Sequence, residues 1–200
     1  MQDAFLRQQK DRLLTPLVGQ RFASIHPNAI SLIAWVIGLG AAGAILVQLY
    51  WVGLLLWVLN RLVDGLDGVV ARVYHKQSDF GGYLDLFLDY LIYLAVPLAF
   101  LAALPSLNNL WAGLFLLSSF LLNVVSWTTL AALIEKRQRQ TSNRLTSIEM
   151  PTGLIEGAET ILFYTLFFLW PGQLALLFSI MALLVLFTAC QRLWWAYGQL

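Results

Sequence analysis

Four aspartates, Asp64, Asp67, Asp85 and Asp89, crowd into one short stretch in the middle of a chain that otherwise avoids charge. Of its 200 residues, 60% are hydrophobic and 12% are charged, where a soluble domain of this size is about half apolar and a quarter charged. That balance points to an integral membrane protein. A lone carboxylate in a lipid-like interior is expensive, and four together also repel one another. Whatever compensates them constrains both fold and function.

Six segments are apolar enough to be membrane-spanning helices, which need about 20 residues each: 29–48, 51–72, 80–103, 109–134, 153–170 and 173–195. Pro105 with Asn108 and Asn109 separates the third from the fourth, and Pro171-Gly172 separates the fifth from the sixth. The second and third carry the aspartates, and they qualify as spans only if those residues face protein or water. The expected fold is therefore all-α, a six-span bundle over 29–195 within a single membrane domain, 1–200. Ahead of it, residues 1–22 place apolar and charged positions at helical spacing. They read as an amphipathic helix in the headgroup region, or alternatively as a solvated tail. Asp3, Arg7, Lys10, Asp11 and Arg12 exclude a secretory signal there. Cys190 is the one cysteine, so no intrachain disulfide is available.

Basic residues set the expected topology. Arg7, Lys10, Arg12 and Arg21 precede the first span, Arg72 and Lys76 follow the second, and Lys136, Arg137, Arg139 and Arg144 follow the fourth. Arg192 ends the sixth, while the alternate loops near Gln48, Pro105–Asn109 and Trp170–Gly172 carry no Lys or Arg. By the positive-inside asymmetry both termini and the working face are cytoplasmic.

Residues three and four apart share a helix face. Asn60, Arg61, Asp64, Asp67, Gly68 and Ala71 thus line one side of the second span, with Leu62, Val63, Leu66, Val69 and Val70 on the other. In the third, Ser78, Gly81, Gly82, Asp85, Asp89 and Tyr93 form the polar stripe. A short loop makes the two helices antiparallel neighbours whose aspartates can meet at similar depth. Four ionised carboxylates against Arg61 and Arg72 leave a charge of about −2 in a poorly solvated site. Either some stay protonated, or metal ions supply the missing charge. Carboxylates suit hard cations such as Mg²⁺ or Mn²⁺, and four of them suit two ions sharing a bridging ligand. Two such ions need an anionic guest. Gly65, Gly68, Ala71, Gly81 and Gly82 leave room for one, and a diphosphate is the natural candidate.

Pairing of the aspartates with Arg61 and Arg72 as helix–helix glue is the structural alternative, and two arginines do not satisfy four acids. A cation or proton pathway is a second rival, but the outer halves of the spans offer no polar continuation.

The stretch resembles, without a gap, the signature of the CDP-alcohol phosphotransferase (CDP-alcohol phosphatidyltransferase class I) family, D-x2-D-G-x2-A-R-x8-G-x3-D-x3-D. It reads here Asp64, Asp67, Gly68, Ala71, Arg72, Gly81, Asp85 and Asp89. The His26–Ser31 stretch also resembles that family's Pro-Asn opening of the first span, which adds Asn28. The resemblance implies transfer of a phosphoalcohol from a CDP-linked donor to a second alcohol, releasing CMP. It implies metal ligation by Asp64, Asp67 and Asp85, with Asp89 completing a second metal site and acting as base. Gly68, Ala71, Arg72, Gly81 and Asn28 would shape the nucleotide and diphosphate pocket. CDP-diacylglycerol as donor fits a membrane setting, and the partners the resemblance implies are a small alcohol acceptor, lipid and a second copy of the chain, with no nucleic acid. A bacterial inner or plasma membrane is the expected location. An intramembrane prenyltransferase would also grip a diphosphate through aspartates, but would need a second aspartate-rich motif that the later spans lack.

Thr152, Glu156 and Glu159 open the fifth span near one face. The acids read either as acceptor-binding residues, together with Arg144, or as a helix cap favoured by the dipole. Lys136, Arg137, Arg139, Arg144 and Arg192 read equally as a site for an acceptor phosphate and as topology signals beside anionic lipid.

Overall fold

The computed structural model of the chain describes residues 24–140 and 153–199. The expected interfacial helix over 1–22, Thr152 and Arg144 lie outside the described residues. Within them there are six α-helices, a short 3-10 helix at Pro171–Gln173 and no strand: α1 Pro27–Leu46, α2 Tyr50–Val73, α3 Asp79–Ala103, α4 Leu107–Gln140, α5 Gly157–Leu169 and α6 Leu174–Gln199. They group into two compact units that meet in sequence at Leu104 and Pro105.

In the first unit α1 packs closely on both α2 and α3. Small residues allow it: Ala34, Gly38, Ala41, Ala42 and Ala44 form the buried face of α1. A Cβ on Gly38 would lie 2.7 Å from Ile92 Cδ1 on α3 and 3.0 Å from Asn60 Nδ2 on α2. Three helices therefore converge where only a hydrogen fits. Asn60, itself buried, donates from Nδ2 to the Ala34 carbonyl at 2.7 Å and so ties α2 to α1. Gly40 and Gly43 face outward instead. At the far end Gln48, in the left-handed region at φ 60°, donates from Nε2 to the Ala103 carbonyl at 3.1 Å. At the near end His26 caps α1 by accepting the Asn28 amide on Nδ1 at 3.3 Å. The neighbour relation expected of α2 and α3 is thus organised around α1, with the aspartates facing each other across the joint.

The apolar side of α2 departs from the expected simple stripe. Val69 and Val70 are 1% and 0% exposed, whereas Leu62 is 52% exposed. Packing has taken two of the valines inward and left the leucine outside. Tyr50, at the start of α2, stacks on Phe100 of α3 at 6.0 Å with its hydroxyl buried.

In the second unit α6 packs on α4 and α5. Tyr164 and Phe167 of α5 and Phe178 of α6 form its aromatic centre, with ring centroids 5.2 Å and 4.7 Å apart along the chain of contacts. Arg192 of α6 is buried and donates from NH1 to Asn123 Oδ1 of α4 at 2.6 Å.

Among the described residues four segments can cross a membrane by length and composition: Pro27–Leu46, Asp79–Ala103, Leu107–Arg137 and Pro171–Gln199. The other two expected spans fall short for different reasons. Helix α2 is long enough at 24 residues but carries Arg61, Asp64, Asp67 and Arg72. Helix α5 has 13 residues, about 20 Å of rise against a hydrocarbon core of about 30 Å. Its expected start at 153 moves to Gly157 because Gly153–Glu156 form the capping turn.

Candidate functional site

Asp64 and Asp67 share a face of α2 because they are three residues apart. Asp85 of α3 meets them, and one carboxylate oxygen from each of the three lies within 4.8 Å of the others. Asp67 is the most enclosed of the set, at 6% exposure. Its Oδ2 accepts a hydrogen bond from the Ser31 hydroxyl of α1. Three hard oxygen donors from two helices, one oriented by a hydroxyl from a third, form the donor set that suits Mg²⁺ or Mn²⁺ rather than zinc.

Asp89 is placed differently. One turn further along α3 than Asp85, its Oδ1 accepts from Arg61 NH2 at 2.9 Å. Arg61 NH1 lies 3.8 Å from Asp64 Oδ2. The guanidinium is enclosed on every other side. Its Nε donates to Asn60 Oδ1 at 2.7 Å and its NH1 to the Tyr93 hydroxyl at 3.2 Å. It also lies over the Trp57 and Tyr93 rings at 4.9 Å and 5.4 Å. The structure therefore brings together three of the four aspartates and gives the fourth to Arg61.

Beside the triad opens a cleft of about 200 Å³. Asn28 and Ser31 of α1, Gly68, Ala71 and Arg72 of α2, and Gly81 and Gly82 of α3 line it, with Lys76 and Gln77 from the intervening loop. The small residues are there for want of space. A Cβ on Gly81 would sit 3.0 Å from Ser78 Oγ and 3.1 Å from Asn28 Oδ1, and one on Gly68 would sit 3.2 Å from Arg72 NH1. Ser78 caps α3 by accepting the Gly81 amide at 3.0 Å, and Lys76 is held against the Ile25 carbonyl at 3.1 Å. All of the residues singled out for the nucleotide pocket, Asn28, Gly68, Ala71, Arg72 and Gly81, border this one cleft.

Sequence reasoning missed three of its residues. Ser31 has a readable signal, since it lies one turn beyond Pro27 on the face that carries Asn28. Lys76 and Gln77 have none, because loop residues have no periodicity to place them.

Glu156 and Glu159 lie in the second unit, and their carboxylates are engaged with backbone. Glu156 Oε1 accepts the Gly153 amide at 2.6 Å. In a reciprocal capping box at the start of α5 the Glu156 side chain also accepts the Glu159 amide, and Glu159 Oε2 accepts the Glu156 amide at 3.1 Å. The turn they close is held on α6 by the Ile155 amide, which donates to Thr188 Oγ1 at 2.9 Å. Arg137 NH1 donates to the Gln199 carbonyl at 3.1 Å.

The family model for CDP-alcohol phosphatidyltransferase matches residues 24–197. The chain is 37% identical over 174 residues to the inner membrane protein YnjF of Escherichia coli, covering 86% of this chain and 84% of that one. It is 43% identical over 74 residues to phosphatidylcholine synthase of Pseudomonas aeruginosa, covering 32% of this chain and 31% of the relative. Its fold matches that of the Mycobacterium tuberculosis phosphatidylinositol phosphate synthase solved with manganese and citrate. The TM-score is 0.64 at 19% identity, covering 92% of this chain and 85% of the other.

Proposed function

The chain belongs to the CDP-alcohol phosphatidyltransferase family, and from that premise we propose that it transfers a phosphatidyl group from CDP-diacylglycerol to the hydroxyl of a small polar alcohol, releasing CMP. The observation that carries the reading is the convergence of Asp64, Asp67 and Asp85 beside a cleft with glycine walls and basic residues at Arg72 and Lys76. In this reading Asp64, Asp67 and Asp85 hold a divalent cation, Mg²⁺ or Mn²⁺, and Asp89 contributes to a second. When bound, such cations neutralise the diphosphate and polarise the attacked phosphorus. Gly68 and Gly81 let the diphosphate approach the helix backbones, and Arg72 with Asn28 orients the nucleotide side. Asp89 takes the proton of the acceptor hydroxyl as its oxygen attacks phosphorus. The bond between that phosphorus and the CMP oxygen breaks, and CMP leaves with the electron pair.

Within the same proposal Glu156, Glu159 and Arg144 bind the acceptor. The solved relative is named for an inositol phosphate product and the Pseudomonas relative for a choline one, so acceptors of quite different charge are open to chains of similar sequence. The architecture proposed is a single domain of six spans with an interfacial helix at 1–22, both termini in the cytoplasm, acting as a homodimer in a bacterial inner membrane. The family match across both units supports the single domain, and the name of the Escherichia coli relative supports the membrane. Embedding of α2 among other helices, polar face inward, lets a charged helix cross.

An acceptor screen tests the reading. Purified protein in liposomes receives labelled CDP-diacylglycerol, Mg²⁺ or Mn²⁺, and in turn glycerol 3-phosphate, inositol, inositol phosphate, serine and amino alcohols. The reading expects CMP release that requires both the metal and one of these acceptors. Absence of CMP under every condition, with the protein folded, would remove it.

A further inference from the structure

The proposed reaction uses the four aspartates and leaves Arg61 unexplained. Yet Arg61 is anchored on several sides, with a side chain 9% exposed. Five groups fix it: Asp89 Oδ1, Asp64 Oδ2, Asn60 Oδ1, the Tyr93 hydroxyl and the face of Trp57. Asn60 is in turn tied to the α1 backbone through the Ala34 carbonyl. The guanidinium therefore cannot follow a ligand or wander to solvent. Its place is set by α1, α2 and α3 together.

We infer that Arg61 is a positioning residue for the phosphatidyl transfer: a fixed internal cation that grips Asp89 by Oδ1 and presents its other oxygen to the reaction, while opposing the cation held by the neighbouring triad. The inference rests on the proposed function of the same site. Its physical basis is twofold. A carboxylate has two oxygens with about four acceptor positions, so one can stay on a guanidinium while the other works. Drawing Asp89 away entirely would leave Arg61 buried with only the more distant Asp64 as counter-charge, which is strongly unfavourable. Asp89 is thus held in one orientation, at the cost of weaker cation binding next to a permanent positive charge.

The experiment is a double-mutant cycle on the full-length protein in detergent, with Arg61→Met, Arg61→Lys, Asp89→Asn and Arg61→Met/Asp89→Asn. Mn²⁺ affinity of the substrate-free protein is read by electron paramagnetic resonance, and CMP release gives kcat and the donor KM. Arg61→Met is expected to bind Mn²⁺ at least threefold tighter than wild type, as removal of an adjacent positive charge requires. Its kcat should fall at least 30-fold with the donor KM changed less than threefold. Adding Asp89→Asn should lower kcat little further, since the two act as a unit. Arg61→Lys keeps the charge and loses the fork, so its Mn²⁺ affinity stays near wild type while kcat still falls. Unchanged or weaker Mn²⁺ binding in Arg61→Met would overturn the inference, as would losses in kcat that multiply. Should Arg61→Met fail to fold, the double variant, which leaves neither charge buried alone, and Arg61→Lys carry the same comparisons. The Mn²⁺ arm needs no substrate, so it separates an error about Arg61 from an error about the reaction.

Discussion

Asp67 and Asp89 show how much the surroundings of one residue type decide. Asp67 accepts from Ser31 and faces Asp64 and Asp85, whereas Asp89 rests on Arg61. The account therefore expects different losses from similar changes. Asp64→Asn should raise the Mg²⁺ concentration needed for half-maximal CMP release, because it removes charge from the triad. Asp89→Asn should retain part of the Mn²⁺ affinity but lose turnover by about 10²–10⁴, the usual contribution of a positioned base. Equal turnover in that variant would remove Asp89 as base. Ser31→Ala leaves every carboxylate in place and removes only an orienting hydroxyl; weakening of Mn²⁺ binding by about 10-fold is expected, read by the same resonance titration. The eight signature positions were legible because they match the family's pattern without a gap, and helical spacing accounts for the facing of the aspartates within each helix. The partner of Asp89 was not, because the count of charges treated Arg61 and Arg72 alike. Position separates them: Arg61 pairs with Asp89 and lies near Asp64, and Arg72 lines the cleft over Gly68.

At the scale of elements, helix ends followed the apolar runs closely, because proline, serine caps and polar loops punctuate them. The exceptions are the end of α4, at Gln140 where 134 was expected, the end of α6, at Gln199 against 195, and the start of α5. An apolar run from 153 cannot reveal that Gly153–Glu156 are spent on a turn docked against Thr188 and Arg192, where a Cβ on Gly153 would collide with the Thr188 methyl. The capping box also gives Glu156 and Glu159 a structural duty. Glu159→Gln separates that duty from a role in the acceptor pocket, since the amide oxygen still accepts the Glu156 amide. The proposal expects an acceptor KM raised at least fivefold with the melting temperature and donor KM nearly unchanged; an unaltered acceptor KM would leave only the cap. For the three-helix contact, Gly38→Ala should cost about 1–3 kcal/mol of stability by overpacking against Ile92. Gly43→Ala, with nothing within 4 Å of the added methyl, should be silent in the same thermal unfolding measurement.

For the whole molecule, composition established the membrane class, but among the described residues four helices satisfy a span by length and apolarity. Crossing by α2 and α5 is proposed, because a charged helix can be embedded by its neighbours and a short one can be completed by flanking residues. Neither is a property of its own sequence. In a Cys190→Ser background, the six-span topology expects cysteines placed at Gln48, Asn108 and Gly172 to react with an impermeant maleimide from outside intact cells. A cysteine at His75 should react only after the cells are opened. Labelling of all four from the same side would rule out that arrangement.

The central claim is that three carboxylates from α2 and α3 jointly hold a divalent cation against the donor's diphosphate. Anomalous scattering from crystals grown with Mn²⁺ and CDP-diacylglycerol tests it most directly. The account predicts a manganese peak coordinated by Asp64, Asp67 and Asp85 and touching the diphosphate. Nucleotide bound in the cleft with no manganese at those carboxylates would contradict it.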